Sequence, residues 1–182
     1  MASTDMEWVK EAKKIGFSEA GPIDRSTLKP MQMVRDACEE DKCHAYGHNW
    51  TCPPECGSLE ECGKRMQSYN RGLIVQTVGV LKKTIDSRTI IETEKNHIHM
   101  FQELSERMRA AGEKILPLGA GGCRICRMCA YPEPCRFPEK ACSSMEAYGL
   151  FVTQVCRDNQ VPYYHGEGTI TYTGCILYNP VN

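Results

Sequence analysis

Apolar residues recur at helical spacing in some stretches of the chain, at strand spacing in others, and follow neither period in two. Behind the capping pattern Thr4-Asp5-Met6-Glu7, the residues Trp8, Ala12 and Ile15 share one helical face, and Gly16 supplies a stop. The segment 17–24 (FSEAGPID) reads as a short strand-like piece, and Ser26 to about Cys38 as a second helix with Pro30 in its first turn. The apolar run 72–81 (GLIVQTVGVL) predicts a buried strand. A helix is expected over Thr93 to Ala111, with Ile98, Phe101, Leu104 and Met108 on one face and Gly112 as its cap. Residues 114–120 (KILPLGA) form a further strand. The capping pattern Ser143-Ser144-Met145-Glu146 precedes Met145, Tyr148, Val152 and Val155 at helical spacing, and 169–178 (TITYTGCILY) alternates as a final strand.

The order β-α-β-loop-α-β predicts an α/β fold, a small sheet with parallel pairs and flanking helices. No solenoid-type repeat is present, and 182 residues suit a single domain spanning 1–182. The two aperiodic stretches are cysteine-rich loops, 38–62 and 121–142, expected at the rim of the sheet. Pro53-Pro54 and Gly57 preclude regular structure in most of the first, and Ser58-Leu59-Glu60-Glu61 reads as a capping box that starts a helix carrying Cys62.

Composition sharpens the question these loops raise. Twelve cysteines stand in a chain whose first residues contain no apolar stretch of the secretory kind, which points to a cytoplasmic protein. In a reducing compartment such thiols bind metal or do chemistry more often than they form disulfides. The net charge is −1 with signs interspersed, so no basic field favours nucleic acid, and no apolar run is long enough to span a membrane.

The second loop carries Cys123, Cys126, Cys129 and Cys135 in the spacing C-x2-C-x2-C-x5-C. Three thiols at two-residue gaps match the tripod of a bacterial ferredoxin loop, with a fourth ligand from further along the chain, to the same cluster or to another. Structural zinc more often takes two separated pairs, and remains the alternative. The first loop carries Cys38, Cys43, Cys52, Cys56 and Cys62 with gaps of four, eight, three and five residues, one thiol more than a cubane needs. A second [4Fe-4S] cluster is the favoured expectation there, with zinc as the alternative. Of the two candidates for its fourth ligand, Cys56 is preferred over Cys62. Gly121 and Gly122 allow close backbone approach to a cluster and present N–H donors to its sulfides. No helix is expected after Gly119-Ala120-Gly121-Gly122, so a dinucleotide fingerprint does not hold. His44 and His48 read as solvated loop residues, His97 and His99 fall on different helical faces, and Cys142, Cys156 and Cys175 read as small buried apolar residues.

The combination Cys38-x4-Cys43-x2-Tyr46-Gly47-x2-Trp50-x-Cys52-Pro53-Pro54, then Gly122-Cys123-x2-Cys126-x2-Cys129, Cys135-Arg136-x-Pro138 and Ser144-Met145-Glu146-Ala147-x-Gly149, resembles a family of small predicted metal-binding proteins of unknown function. The resemblance runs from about residue 5 to the end. It implies iron–sulfur binding and an origin among anaerobic bacteria and archaea, and it brings no reaction with it. Its motif includes seven of these thiols and leaves out Cys56 and Cys62, one short of two full clusters.

Three functions follow as expectations. The first is a carrier with two [4Fe-4S] clusters that passes electrons to a partner redox enzyme. The second is a small enzyme with an open iron, with Glu146, Tyr148 or His165 for acid–base work. The third is a zinc-dependent structural or interaction module.

Overall fold

The computed structural model describes residues 5–180. Its helices are α1 (Asp5–Ile15), α2 (Gln32–Glu39), α3 (Leu59–Gln67), α4 (Ser87–Ala110) and α5 (Val152–Asp158). Its strands are β1 (Glu19–Pro22), β2 (Arg71–Val80), β3 (Lys114–Gly119), β4 (Ser143–Ser144) and β5 (Thr169–Asn179), ordered β1-β2-β5-β3-β4 in one sheet.

The sheet is mixed, so the expectation of parallel pairs holds only in part. β2, α4 and β3 form the expected right-order unit, and β2 and β3 do run in the same direction. They are not neighbours, because β5 lies between them, antiparallel to both. The one parallel pairing is short, Leu118 with Ser143 and Gly119 with Ser144. A long helical crossover leaves a gap wide enough for a third strand, and β5 fills it with ladders on both sides, removing two edges at once.

Both faces of the sheet are covered. Leu73, Val75, Ile176 and Tyr178 pack with Trp8 and Ala12 of α1 and Phe101, Leu104 and Met108 of α4. On the other face Ile74, Cys175 and Leu177 pack with Cys62 and Met66 of α3, Val155 and Cys156 of α5, and the turn around Tyr148. Double coverage explains why β2 reads as a continuous apolar run. It also makes the second half of β5, Thr173–Tyr178, buried throughout rather than alternating.

Several predicted helices have different limits. The capping residue Thr4 lies outside the described residues. α4 begins at Ser87, six residues before Thr93, because the Asp86 carboxylate accepts a hydrogen bond from the Thr89 N–H and caps it there. The helix predicted over 26–38 is broken in two. A 3-10 turn at Arg25–Thr27 and α2 flank Pro30, which disfavours helical backbone at the residue before it. The helix predicted from Ser143 is likewise interrupted. Ser144 Oγ accepts from the Ala147 N–H, and only a 3-10 turn follows, Glu146–Tyr148, which Gly149 ends at φ 74°. The Ser58 capping box forms as predicted, with both reciprocal hydrogen bonds to Glu61.

His97 of α4 is buried under the sheet, stacked on Phe101 and edge-on to Phe17, with Nδ1 2.9 Å from Thr77 Oγ1. Burial pushes the imidazole down from 6.5 to about 4. Between those values the unfolded chain binds a proton that the folded one refuses, so stability is full above about pH 6.5 and falls as pH drops toward 4. Urea unfolding at pH 7 and at pH 4.5 is expected to show a larger acid loss in the wild type than in His97→Gln. Equal losses in the two proteins would assign the acid sensitivity elsewhere.

Candidate metal centre

The second loop connects β3 to β4 and therefore hangs from one edge of the sheet. It contains no helix, and Gly121 enters it with φ 75°. Cys123, Cys126, Cys129 and Cys135 all line one small cavity, together with Trp50 and Thr51 of the first loop, Ile125 and Arg136. All four thiols are free and half-buried. None makes a hydrogen bond among the described residues, whereas Cys56 and Cys142 each donate to a backbone carbonyl. Four thiols without protein partners around a common concavity are a donor set suited to a soft metal or an iron–sulfur group.

The first loop leaves the end of α2, where Cys38 sits in the last turn, and folds through successive turns. Asp41 Oδ1 accepts from the Tyr46 N–H at 2.9 Å, and the Gly47 N–H donates to Pro53 O at 2.9 Å. Asn49 Oδ1 accepts from the Thr51 N–H and so turns the chain into Cys52. Cys38, Cys43 and Cys52 are electrostatic neighbours. Burial first, then charge on Cys43 and Cys38, raises the Cys52 thiol to about 11, and burial raises Cys38. A bound cation reverses this preference, since it stabilises the thiolates that burial disfavours.

The two loops meet. A Cβ at Gly122 would stand 3.6 Å from Cys52 Sγ, so the backbone between the two cysteine groups is in contact with one of the first-loop thiols. Trp50 Nε1 donates to Glu133 O at 2.8 Å, the Trp50 and Tyr131 rings lie edge to face at 5.0 Å, and Tyr131 O–H donates to Glu55 Oε1 at 3.1 Å. Tyr131, Glu133 and Glu55 carry this junction and have no signature in the sequence, because their roles exist only once loops some 80 positions apart are brought together.

Cys56 and Cys62 form a buried pair behind the first loop. Arg35 of α2 donates from Nη1 to Gly57 O at 2.8 Å, and from Nη2 to Ala147 O at 2.7 Å and Cys62 Sγ at 3.5 Å. The adjacent Cys56 thiol, then the Arg35 guanidinium, favours negative charge on Cys62 and pulls its thiol down. The neighbouring Cys62 and burial raise the Cys56 thiol, and charge on Cys52 adds to this. Cys56 therefore stands between Cys52 and Cys62.

Among the described residues no three His, Cys, Asp or Glu side chains converge tightly on a single point. His44 and His48 are exposed. The three acid–base candidates are dispersed: Glu146 is exposed, the Tyr148 hydroxyl is bonded by Arg65, and His165 Nε2 lies 3.1 Å from Gln76 Oε1 of β2. Cys156 and Cys175 are buried in the core as predicted, and Cys142 is half-buried against it.

A mixed sheet with two joined thiol-rich loops describes a protein with the donor groups of a metal-binding protein. The chain belongs to the family described as predicted metal-binding protein (DUF2284), whose model matches residues 21–178. No curated protein and no solved structure matches it. Among the described residues no helix is long and apolar enough to cross a membrane.

Proposed function

We propose that this chain is an iron–sulfur protein that binds two [4Fe-4S] clusters and passes single electrons to a partner redox enzyme. The observation that supports this most is the shared cavity of Cys123, Cys126, Cys129 and Cys135, four partnerless thiols in ferredoxin-like spacing. Those four hold one group, and Cys38, Cys43, Cys52 and Cys56 hold the other. Cys56 is favoured over Cys62 as the fourth ligand because its backbone N–H bonds to Cys52 O at 3.0 Å, one turn away, while Cys62 is engaged by Arg35. Each cluster supplies a reversible one-electron site when bound.

The chain's own residues set the surroundings. Contact between Gly122 and Cys52 keeps the two thiol groups adjacent, a short path for an electron. Gly121 has no atom within 4 Å of a built Cβ, which leaves its backbone accessible to a bound group. Arg136 borders the thiol cavity, donates to Met128 O at 3.2 Å, and offsets thiolate charge. Exposed Met128 and Phe137 flank the same loop and offer apolar contact to a partner.

Anaerobic purification with iron and acid-labile sulfide analysis tests the proposal. Two cubanes correspond to roughly eight irons and eight sulfides per chain, with broad absorption near about 400 nm. About four irons would leave one cluster and reject the second. A colourless protein with stoichiometric zinc would replace the carrier by a zinc-dependent module.

A further inference from the structure

Next to the thiol cavity, with which it shares Ile125, a cleft runs between α4 and the segments 117–125 and 140–142. Its outer part is a cavity of about 190 Å³ lined by Arg109, Arg124 and Lys140 around the Phe101 ring, with Glu106 as the one carboxylate. This is below the roughly 300–1,000 Å³ of sites for drug-sized ligands, and suits a smaller metabolite. The cleft continues inward past Gln102, Arg124 and Cys142 to a second cavity bordered by His97 and by Gly119–Cys123.

Two features point to a ligand. At the outer end the cations exceed what the protein neutralises. Lys140 engages Glu106 at 2.9 Å and Arg124 reaches Glu94 at only 3.4 Å, while the Arg109 guanidinium makes no hydrogen bond or ion pair within 4 Å among the described residues. At the inner end His97 Nε2 is buried without a hydrogen-bond partner. The Thr77 hydroxyl occupies the other ring nitrogen, so Nε2 is left for whatever enters the inner cavity. A buried polar atom in this condition carries a desolvation cost that a bound polar group removes.

We propose that this cleft binds a small organic anion, its carboxylate or phosphate held by Arg109 with Arg124 and Lys140, and a polar atom at its other end bonded to His97 Nε2 beside Cys123. The guanidinium fork of Arg109 suits either anion. The inner end brings the ligand next to the second thiol loop. Binding itself does not depend on which metal that loop holds, so the failure of the iron–sulfur proposal would leave this one standing.

Calorimetric titration of the protein as purified tests it, with inorganic phosphate, glycerol 3-phosphate and malonate as probes. Saturable binding of glycerol 3-phosphate or of malonate is expected, and the better of the two identifies the anion as a phosphate ester or a carboxylate. Arg109→Gln, at a half-exposed helix position with no partner, is expected to fold normally and to weaken binding at least about tenfold, as loss of a charge-assisted contact does. If glycerol 3-phosphate is the ligand, His97→Gln weakens it but leaves inorganic phosphate, which reaches only the outer end, unchanged. No saturable binding of any probe, or binding undiminished in Arg109→Gln, would overturn the proposal.

Discussion

Cys126→Ser is expected to remove one metal centre and leave the other. Cys126 is the middle thiol of the C-x2-C-x2-C run and lines the cavity shared with Cys123, Cys129 and Cys135. A serine hydroxyl is a harder and far weaker ligand for a soft metal than a thiolate. No spare thiol stands ready to replace it. Cys52 belongs to the first loop, and Cys142 is turned into hydrogen bonds with Pro117 O at 3.4 Å and Ser143 O at 3.3 Å, its thiol raised to about 12 by burial. Metal and sulfide content should therefore fall by about half under the two-cluster proposal, with the fold retained by circular dichroism. Cys175→Ser, a change on β5 outside both loops and outside the proposed ligand set, serves as the control and should keep its full metal content. Full metal and an unchanged spectrum in Cys126→Ser would remove the second loop from the metal-binding set.

The second large effect is structural and acts on the first loop. Gly149 sits at φ 74°, where any Cβ is strained, and a Cβ there would lie 2.5 Å from Leu59 Cδ2 and 3.1 Å from the Met31 nitrogen. The Met31 N–H also donates to Gly149 O at 2.8 Å, so the clash falls on the joint that seats the start of α2. Left-handed backbone costs an alanine about 1–2 kcal/mol and overpacking typically about 1–3 kcal/mol. Gly149→Ala should thus lose about 2–5 kcal/mol in chemical unfolding. Because α2 carries both Cys38 and Arg35, metal bound by the first loop should weaken in the same variant. A loss below about 0.5 kcal/mol, the range of a neutral surface change, would mean that the joint relaxes freely.

Local features of this protein are legible in its sequence. Ligand spacing within one loop is a matter of a few residues of chain, so the C-x2-C-x2-C-x5-C run suggests nearby thiols; the four border one cavity without converging on a single point among the described residues. Caps are local too: the Ser58 box forms, and the Asp86 cap that lengthens α4 could have been read from Asp86-x-x-Thr89. The breaks at Pro30 and Gly149 have equally local causes, but there a periodic apolar pattern runs across the break and hides it.

What the tertiary structure decides is everything that pairs distant segments. Strand existence follows from composition and period, whereas the choice of neighbour depends on which arrangement satisfies the most ladder hydrogen bonds, and β5 enters between β2 and β3 only in the assembled sheet. The same holds for the thiols. Spacing favours Cys56 over Cys62 only by chain reach, whereas folding sets Arg35 of a separate helix against Cys62 and the Cys56 thiol against Ala147 O. The union of the two loops through Trp50, Glu133, Tyr131 and Glu55 is likewise fixed by side-chain geometry across some 80 positions, for which one-dimensional periodicity carries no signal.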